Sequence, residues 1–135
     1  MKKIVLIVFV SLLVIFQSCK NSTNNSATSA IELISPQQVY DAVYNKDTVQ
    51  LVDVRTPEEY KISHLKGSQN ICVTSKDFAK KVKTLDKNKP VYLYCRVGGR
   101  SAGAAKQLQK MGFTKIYDMD GGILLWEKKK LETEK

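Results

Sequence analysis

A chain of 135 residues has room for one domain with a modest core, which excludes a multidomain architecture. Its 22 lysines and arginines against 13 acidic residues give a formal charge of +9, but the lysines are scattered and many fall on helical faces, the pattern of a solvated surface rather than a nucleic-acid-binding stripe. Three cysteines are too few for a disulfide framework, and with a single histidine they offer no metal-ligand spacing.

Met1-Lys2-Lys3 is a short basic region, and Ile4 to Phe16 is apolar apart from Ser11. A membrane span needs about 20 such residues, so this run fits the apolar region of a secretory signal instead. Gln17-Ser18-Cys19 follows. The segment resembles a bacterial lipoprotein signal, in which the cysteine is lipidated through sulfur and becomes the first mature residue; Phe16 and Gln17 depart from the commonest residues of that motif. Residues 1–18 therefore read as a signal cleaved before Cys19, and 19–30 as a flexible polar tether too poor in aliphatic bulk to order itself. Residues 31–130 read as the folded domain and 131–135 as a C-terminal tail. The expectation is an exported protein of the bacterial cell envelope, held to the membrane by lipid on Cys19, with its domain in the periplasm. Loss of Lys2 and Lys3 with the signal leaves 20 basic residues against 13 acidic, or +7, a balance that favours small anions. An exported chain also has little call for nucleic acid.

Within the folded part, short apolar runs alternate with helical patterns. Ile31 to Ile34 predicts a first strand, and Ser35-Pro36-Gln37-Gln38 a helix start with a serine cap, proline in the first turn and glutamine three residues after the cap. Val49 to Val54 predicts the second strand, and Thr56-Pro57-Glu58-Glu59 repeats the capping signature before a short helix to about Ile62. Ser68 to Val73 predicts a third strand, Ser75 a helix with Phe78, Val82 and Leu85 on one face, and Val91 to Tyr94 a fourth strand. A helix opening at Ser101 runs to Met111 and ends at Gly112; Lys115 to Asp118 is the fifth strand, and Gly121-Gly122 leads into a last helix. The alternation predicts an α/β fold, a mostly parallel five-stranded sheet with helices on both faces. Ligands of such sheets sit beyond the carboxyl ends of the strands, where Cys95 and Asp53 fall.

Cys95-Arg96-Val97-Gly98-Gly99-Arg100-Ser101 joins the fourth strand to its helix. Strand, glycine-containing loop and helix N-terminus make an anion cradle, because unpaired N–H groups and the positive end of the helix dipole converge there. Around a sulfur atom the same field stabilises a thiolate and lowers the cysteine from its free value of about 8.5. Arg96 and Arg100 add formal positive charge to the loop.

Asp53-Val54-Arg55-Thr56-Pro57-Glu58-Glu59-Tyr60, His64-Leu65-Lys66-Gly67-Ser68 and Asn70-Ile71 resemble the first half of a rhodanese domain. The reactive loop, Met111-Gly112-Phe113, Ile116-Tyr117 and Gly121-Gly122-Ile123-Leu124-Leu125-Trp126 resemble the second half. Ser63, Lys66 and Cys72 stand where the family more often has glycine, proline and proline. The resemblance implies the rhodanese-like three-layer fold and a sulfurtransferase that carries sulfane sulfur as a persulfide on Cys95. It implies a small anionic donor such as thiosulfate and a thiol or cyanide as acceptor, with no cofactor beyond the covalent persulfide. The chain is expected to be a monomer. The N–H groups from Arg96 through Val97, Gly98, Gly99 and Arg100 to Ser101 would hold the terminal sulfur, Arg100 would bind the donor with Arg96 as a weaker candidate, and Ser101 would cap the helix and reach the cysteine.

Phosphatase chemistry uses a loop with five residues between cysteine and arginine; Cys95 and Arg100 are separated by four, a narrower cradle suited to one sulfur. Asp53 and Arg55 read as a supporting ion pair under the loop, His64 as the organiser of a turn, and Trp126 as a core anchor. Two other functions compete with sulfur transfer: a non-catalytic binding module on the same fold, and a thiol–disulfide protein pairing Cys95 with Cys72.

Overall fold

Five strands, all parallel, form one sheet whose spatial order differs from chain order. The strands are β1 (Ala30–Ile34), β2 (Gln50–Asp53), β3 (Gln69–Asn70), β4 (Val91–Tyr94) and β5 (Lys115–Met119), and they lie in the order β1-β5-β4-β2-β3. The helices are α1 (Pro36–Tyr44), α2 (Pro57–Ile62), α3 (Phe78–Val82), α4 (Gly99–Lys110) and α5 (Gly122–Lys128). These coordinates are a computed structural model and describe residues 30–45 and 49–135. The expected signal, Cys19 and the expected tether up to Ser29 lie outside the described residues.

Strand alternation builds the three layers. Val91 and Leu93 of β4 join Phe78 and Val82 of α3 and Ala104, Ala105 and Leu108 of α4 in one core. Tyr92 and Tyr94, pointing the other way, join Val39 of α1 and Ile123 and Trp126 of α5 in the second. The β4 side chains are buried on both faces, as a central parallel strand requires. Small alanines on α4 let that helix approach the sheet closely. Trp126 is fully buried and lies 6.0 and 6.3 Å from the rings of Tyr40 and Tyr44, the anchor its sequence position predicts.

The topology sets the place of the site. From β2 the chain moves outward to β3, and from β4 it moves the other way to β5. The loops leaving β2 and β4 therefore diverge, opening a crevice beyond the carboxyl ends of these two neighbours. Their last paired residues are Asp53 and Tyr94, so Asp53 and Cys95 come together there.

Local departures from the predicted elements have local causes. The third strand is paired only over Gln69–Asn70; beyond it the chain still follows β2, with Ile71 N–H donating to the Asp53 carbonyl at 2.9 Å and Val73 N–H to that of Val54 at 3.1 Å. Ser75 opens a turn closed by the Phe78 N–H, and its hydroxyl bonds Asp77, so α3 starts three residues later than predicted. Helix α4 starts at Gly99 rather than Ser101, because Gly98 takes the left-handed conformation that turns the chain into the helix. The last residues, expected as a tail, dock on the domain. Glu134 and His64 exchange N–H to carbonyl bonds of 2.8 Å in both directions, and the Trp126 indole N–H donates to the Glu132 carbonyl at 3.0 Å. Among the described residues no helix is long and apolar enough to cross a membrane.

Candidate active site

The Cys95 to Ser101 loop begins where β4 ends. Cys95 is buried, 1% exposed, and Gly98 N–H donates to its Sγ at 3.0 Å. The Ser101 hydroxyl lies 3.5 Å from the same sulfur. Burial is the largest single influence on the thiol and pushes it up; hydrogen bonds from the Ser101 hydroxyl and from the N–H groups of Ser101, Gly98 and Val97 outweigh it and hold the thiol below its ordinary value. The lowering thus comes mainly from the helix N-terminus. A neutral hydroxyl and neutral N–H groups achieve here what the sequence also assigned to two arginines.

This geometry needs the loop held with its N–H groups inward. Helix α5 does the holding: Ile123 N–H donates to the Cys95 carbonyl at 2.9 Å and Leu124 N–H to the Arg96 carbonyl at 3.2 Å. Gly122 makes that approach possible. Its φ is +57°, and a Cβ there would stand 2.5 Å from the carbonyl oxygens of both Cys95 and Arg96.

Beside the loop, Asp53 and Arg55 form the predicted ion pair. Arg55 Nη2 lies 2.5 Å from Asp53 Oδ2, Nε donates to both oxygens at 3.0 and 2.9 Å, and the Arg55 N–H closes the turn on Oδ1 at 2.9 Å. The remaining reach of Nη2 goes to the Ser63 carbonyl at 2.6 Å. With Asp53 fully buried and Arg55 4% exposed, the pair acts as a strut between β2 and the end of α2. Asn70 fastens it further, its amide donating to the carbonyls of Asp53 and Arg55 at 3.1 and 2.9 Å.

Arg100 has a partner the sequence did not reveal. Its Nη1 and Nη2 donate to the two carboxylate oxygens of Glu59 at 2.6 and 2.7 Å, a fork across 41 residues of chain. The Arg100 bonds first, with burial opposing, hold the Glu59 carboxyl down to about 2. The Arg100 guanidinium therefore ties α4 to α2 instead of pointing free into the loop, although its charge is felt at Cys95. Arg96 is exposed and, with Arg55, Glu59, Ser63, Leu124 and Glu127, lines a cleft of about 240 Å³ beside the loop. Val97 stands out to solvent at the rim, 59% exposed.

The Rhodanese-like domain family pattern matches residues 35–129. The chain belongs to that family. It is 34% identical over 99 residues to thiosulfate sulfurtransferase GlpE of Pseudomonas fluorescens, covering 73% of this chain and 86% of that one. It is 40% identical over 91 residues to protein YqhL of Bacillus subtilis, covering 67% and 68%. The adenylyltransferase/sulfurtransferase MoeZ of Mycobacterium tuberculosis is matched at 33% identity, and there the chain spans only 24% of its relative. Among solved structures, a rhodanese-related protein from Thermoplasma volcanium superimposes with a TM-score of 0.67 at 27% identity, covering 76% of this chain and 97% of that one.

Other residues of this rhodanese-like domain fall outside the cradle. His64 stacks on Tyr60 with ring centroids 3.8 Å apart, and its Nδ1 meets the Tyr60 carbonyl at 2.9 Å; it orders the turn, as expected. Cys72 Sγ lies 3.2 Å from Thr74 Oγ1, and Cys72 and Cys95 are both free thiols. Among the described residues no group of three or more histidine, cysteine or acidic side chains could hold a metal. Sequence reasoning passed over Tyr94, whose hydroxyl accepts from the Leu65 N–H at 3.1 Å and pairs with the Ser68 hydroxyl at 3.0 Å. The one available signal was a polar hydroxyl at the end of a buried strand of alternating aliphatic and tyrosine residues.

Proposed function

We propose that this chain is an exported, lipid-anchored sulfurtransferase that carries sulfane sulfur on Cys95. The observation that carries the reading is the Gly98 N–H on Cys95 Sγ at 3.0 Å, at the start of a 12-residue helix that has no side-chain cap. The Cys95 thiolate attacks the outer sulfur of thiosulfate; a sulfur–sulfur bond forms at Cys95, the donor's own sulfur–sulfur bond breaks, and sulfite leaves with the electron pair. The terminal persulfide sulfur then carries the negative charge and takes over the loop N–H groups, an oxyanion-hole arrangement applied to sulfur. An acceptor thiolate or cyanide attacks that sulfur and returns Cys95 as thiolate. Arg96 is the guanidinium that meets the donor anion from the cleft, while Arg100 stays engaged by Glu59. Sulfurtransferase relatives and the N–H cradle support sulfur transfer at Cys95, and the Glu59 fork with Arg96 at the cleft supports this division of the arginines.

Incubation with thiosulfate followed by intact-mass measurement tests the chemistry. A gain of one sulfur is expected, lost in Cys95→Ser and discharged by cyanide as thiocyanate; no gain and no thiocyanate overturn the reading. For the anchor, expression in a bacterial host with a labelled fatty acid should mark the native chain and leave Cys19→Ala unmarked; equal labelling of both, or of neither, overturns the anchor.

A further inference from the structure

Four charged side chains line the cleft beside the Cys95 to Ser101 loop, and two of them are already committed. Arg55 is held by Asp53, and Glu59 accepts both arms of the Arg100 fork. Arg96 and Glu127 remain. Both are exposed and line the same cavity of about 240 Å³. Among the described residues no ion pair joins them to each other or to any other group. Glu127 Oε1 accepts only a neutral donor, the Ser63 hydroxyl at 3.1 Å, so its charge stays unmatched.

The two charges reach the cleft from different elements. Arg96 belongs to the loop. Glu127 stands on α5 three residues beyond Leu124, on the same side of the helix, and the Leu124 N–H donates to the Arg96 carbonyl at 3.2 Å. Ile62 and Leu124, 69% and 41% exposed, give the cleft an apolar wall.

A cleft serving only a dianion such as thiosulfate gains nothing from an unmatched carboxylate, because Glu127 opposes the attraction of Arg96 for that donor. A ligand carrying both signs of charge turns the same pair into two attractions, and a short methylene stem suits the apolar wall. The reaction has a place for such a ligand, since departing sulfite vacates Arg96 before the second substrate arrives. We propose that the sulfur acceptor is a small zwitterionic thiol of the amino-acid type, its carboxylate at Arg96 and its ammonium at Glu127. The acceptor loses its thiol proton to solvent, and its thiolate attacks the terminal sulfur of the Cys95 persulfide. A sulfur–sulfur bond forms on the acceptor, the one at Cys95 breaks, and Cys95 leaves with the electron pair as thiolate; no oxidant or reductant is consumed. The inference rests on Cys95 as the sulfur carrier.

Discharge of the Cys95 persulfide in the full chain, followed by mass on the Cys95 peptide, tests it. The persulfide is prepared with thiosulfate and, in parallel, with sodium tetrasulfide. Failure of thiosulfate to load then counts against the sulfurtransferase reading and still leaves the acceptor measurable. Three acceptors are compared at equal thiolate concentration: cysteine, N-acetylcysteine, which lacks the ammonium, and cysteamine, which lacks the carboxylate. Thiols differ in intrinsic reactivity, so the readout is the change in each rate ratio between the native chain and a variant. Glu127→Gln keeps an oxygen for the Ser63 hydroxyl and removes the charge; it should lower the cysteine to N-acetylcysteine ratio roughly threefold, the scale of an exposed ion pair. Glu127→Lys, which reverses the charge, should lower that ratio further. Arg96→Gln should lower the cysteine to cysteamine ratio by a similar factor. A native cysteine to N-acetylcysteine ratio in both Glu127 variants overturns the proposal, as does equal slowing of all three thiols, the mark of a purely structural role. A native cysteine to cysteamine ratio in Arg96→Gln overturns it as well.

Discussion

Two corners of this molecule are built on the same plan and reach opposite ends. Both leave the carboxyl end of a central strand, β2 at Asp53 and β4 at Tyr94, which are paired neighbours, and both lead into a helix. In the β2–α2 corner side chains of the corner itself satisfy the helix start and the buried charge. Thr56 accepts from the Glu59 N–H, Glu59 accepts from the Thr56 N–H, Pro57 removes a donor, and Asp53 is saturated by Arg55. In the β4–α4 corner the cap is Gly98, which has no side chain to offer, and the freed N–H groups turn to Cys95 Sγ. A capped helix start is a joint; an uncapped one, held open by α5 behind it, leaves N–H groups for an anion or a thiolate.

If that contrast is right, substitutions in the first corner should damage stability and those in the second should damage reactivity. The largest effect is expected for Asp53→Ala, which strands Arg55 as a buried unpaired cation and should destabilise the fold by about 3–5 kcal/mol in urea unfolding. A change under about 1 kcal/mol would show that water reaches Arg55 and that the corner is less closed than its hydrogen bonds imply. Next comes Gly98→Ala. A side chain at φ +111° should cost about 1–3 kcal/mol of strain. By moving the N–H off the sulfur it should also slow Cys95 alkylation at neutral pH roughly tenfold. An unchanged alkylation rate would place the control of the thiol elsewhere.

Thr56→Ala removes a cap and should lower stability by about 1 kcal/mol, while thiosulfate loading measured on the folded protein stays within about twofold of native. The smallest effect concerns acid. Glu59 is held down to about 2 in the folded chain, whereas an unperturbed glutamate titrates near ~4.3. Its pairing with Arg100 is therefore fully present above the unfolded value and fades as pH falls from about 4.5 toward 2. The two side chains are 32% and 28% exposed, so screening keeps the contribution to about 1 kcal/mol or less. Glu59→Gln should flatten that part of the stability curve; an unaltered acid limb would mean that the fork contributes nothing in solution.

Much of this contrast was legible in the chain itself. Both capping boxes, Ser35 with Gln38 and Thr56 with Glu59, are contacts over three residues and appear as spaced residue types. The Cys95 to Ser101 loop was readable for the same reason, since a cysteine, two glycines and a helix start within seven positions define a cradle whatever surrounds it. Illegible were the partners that arrive from far along the chain. Arg100 looked like a free cation because nothing near it in sequence is acidic, yet Glu59 closes on it in space. Residues 131–135 looked like a tail because their pairing with the turn at His64 needs the whole domain between them.

The sequence by itself determined the class of fold, the caps and the Cys95 to Ser101 loop at the start of a helix, because these depend on backbone chemistry over a few residues. Only the tertiary structure decided the strand order that opens a crevice between β2 and β4, the α5 N–H groups that hold the loop inward, and the pairing of Arg100 with Glu59 that leaves Arg96 at the cleft. Those are contacts between segments far apart in the chain, and their pairing is chosen by packing of the whole core rather than by any local preference.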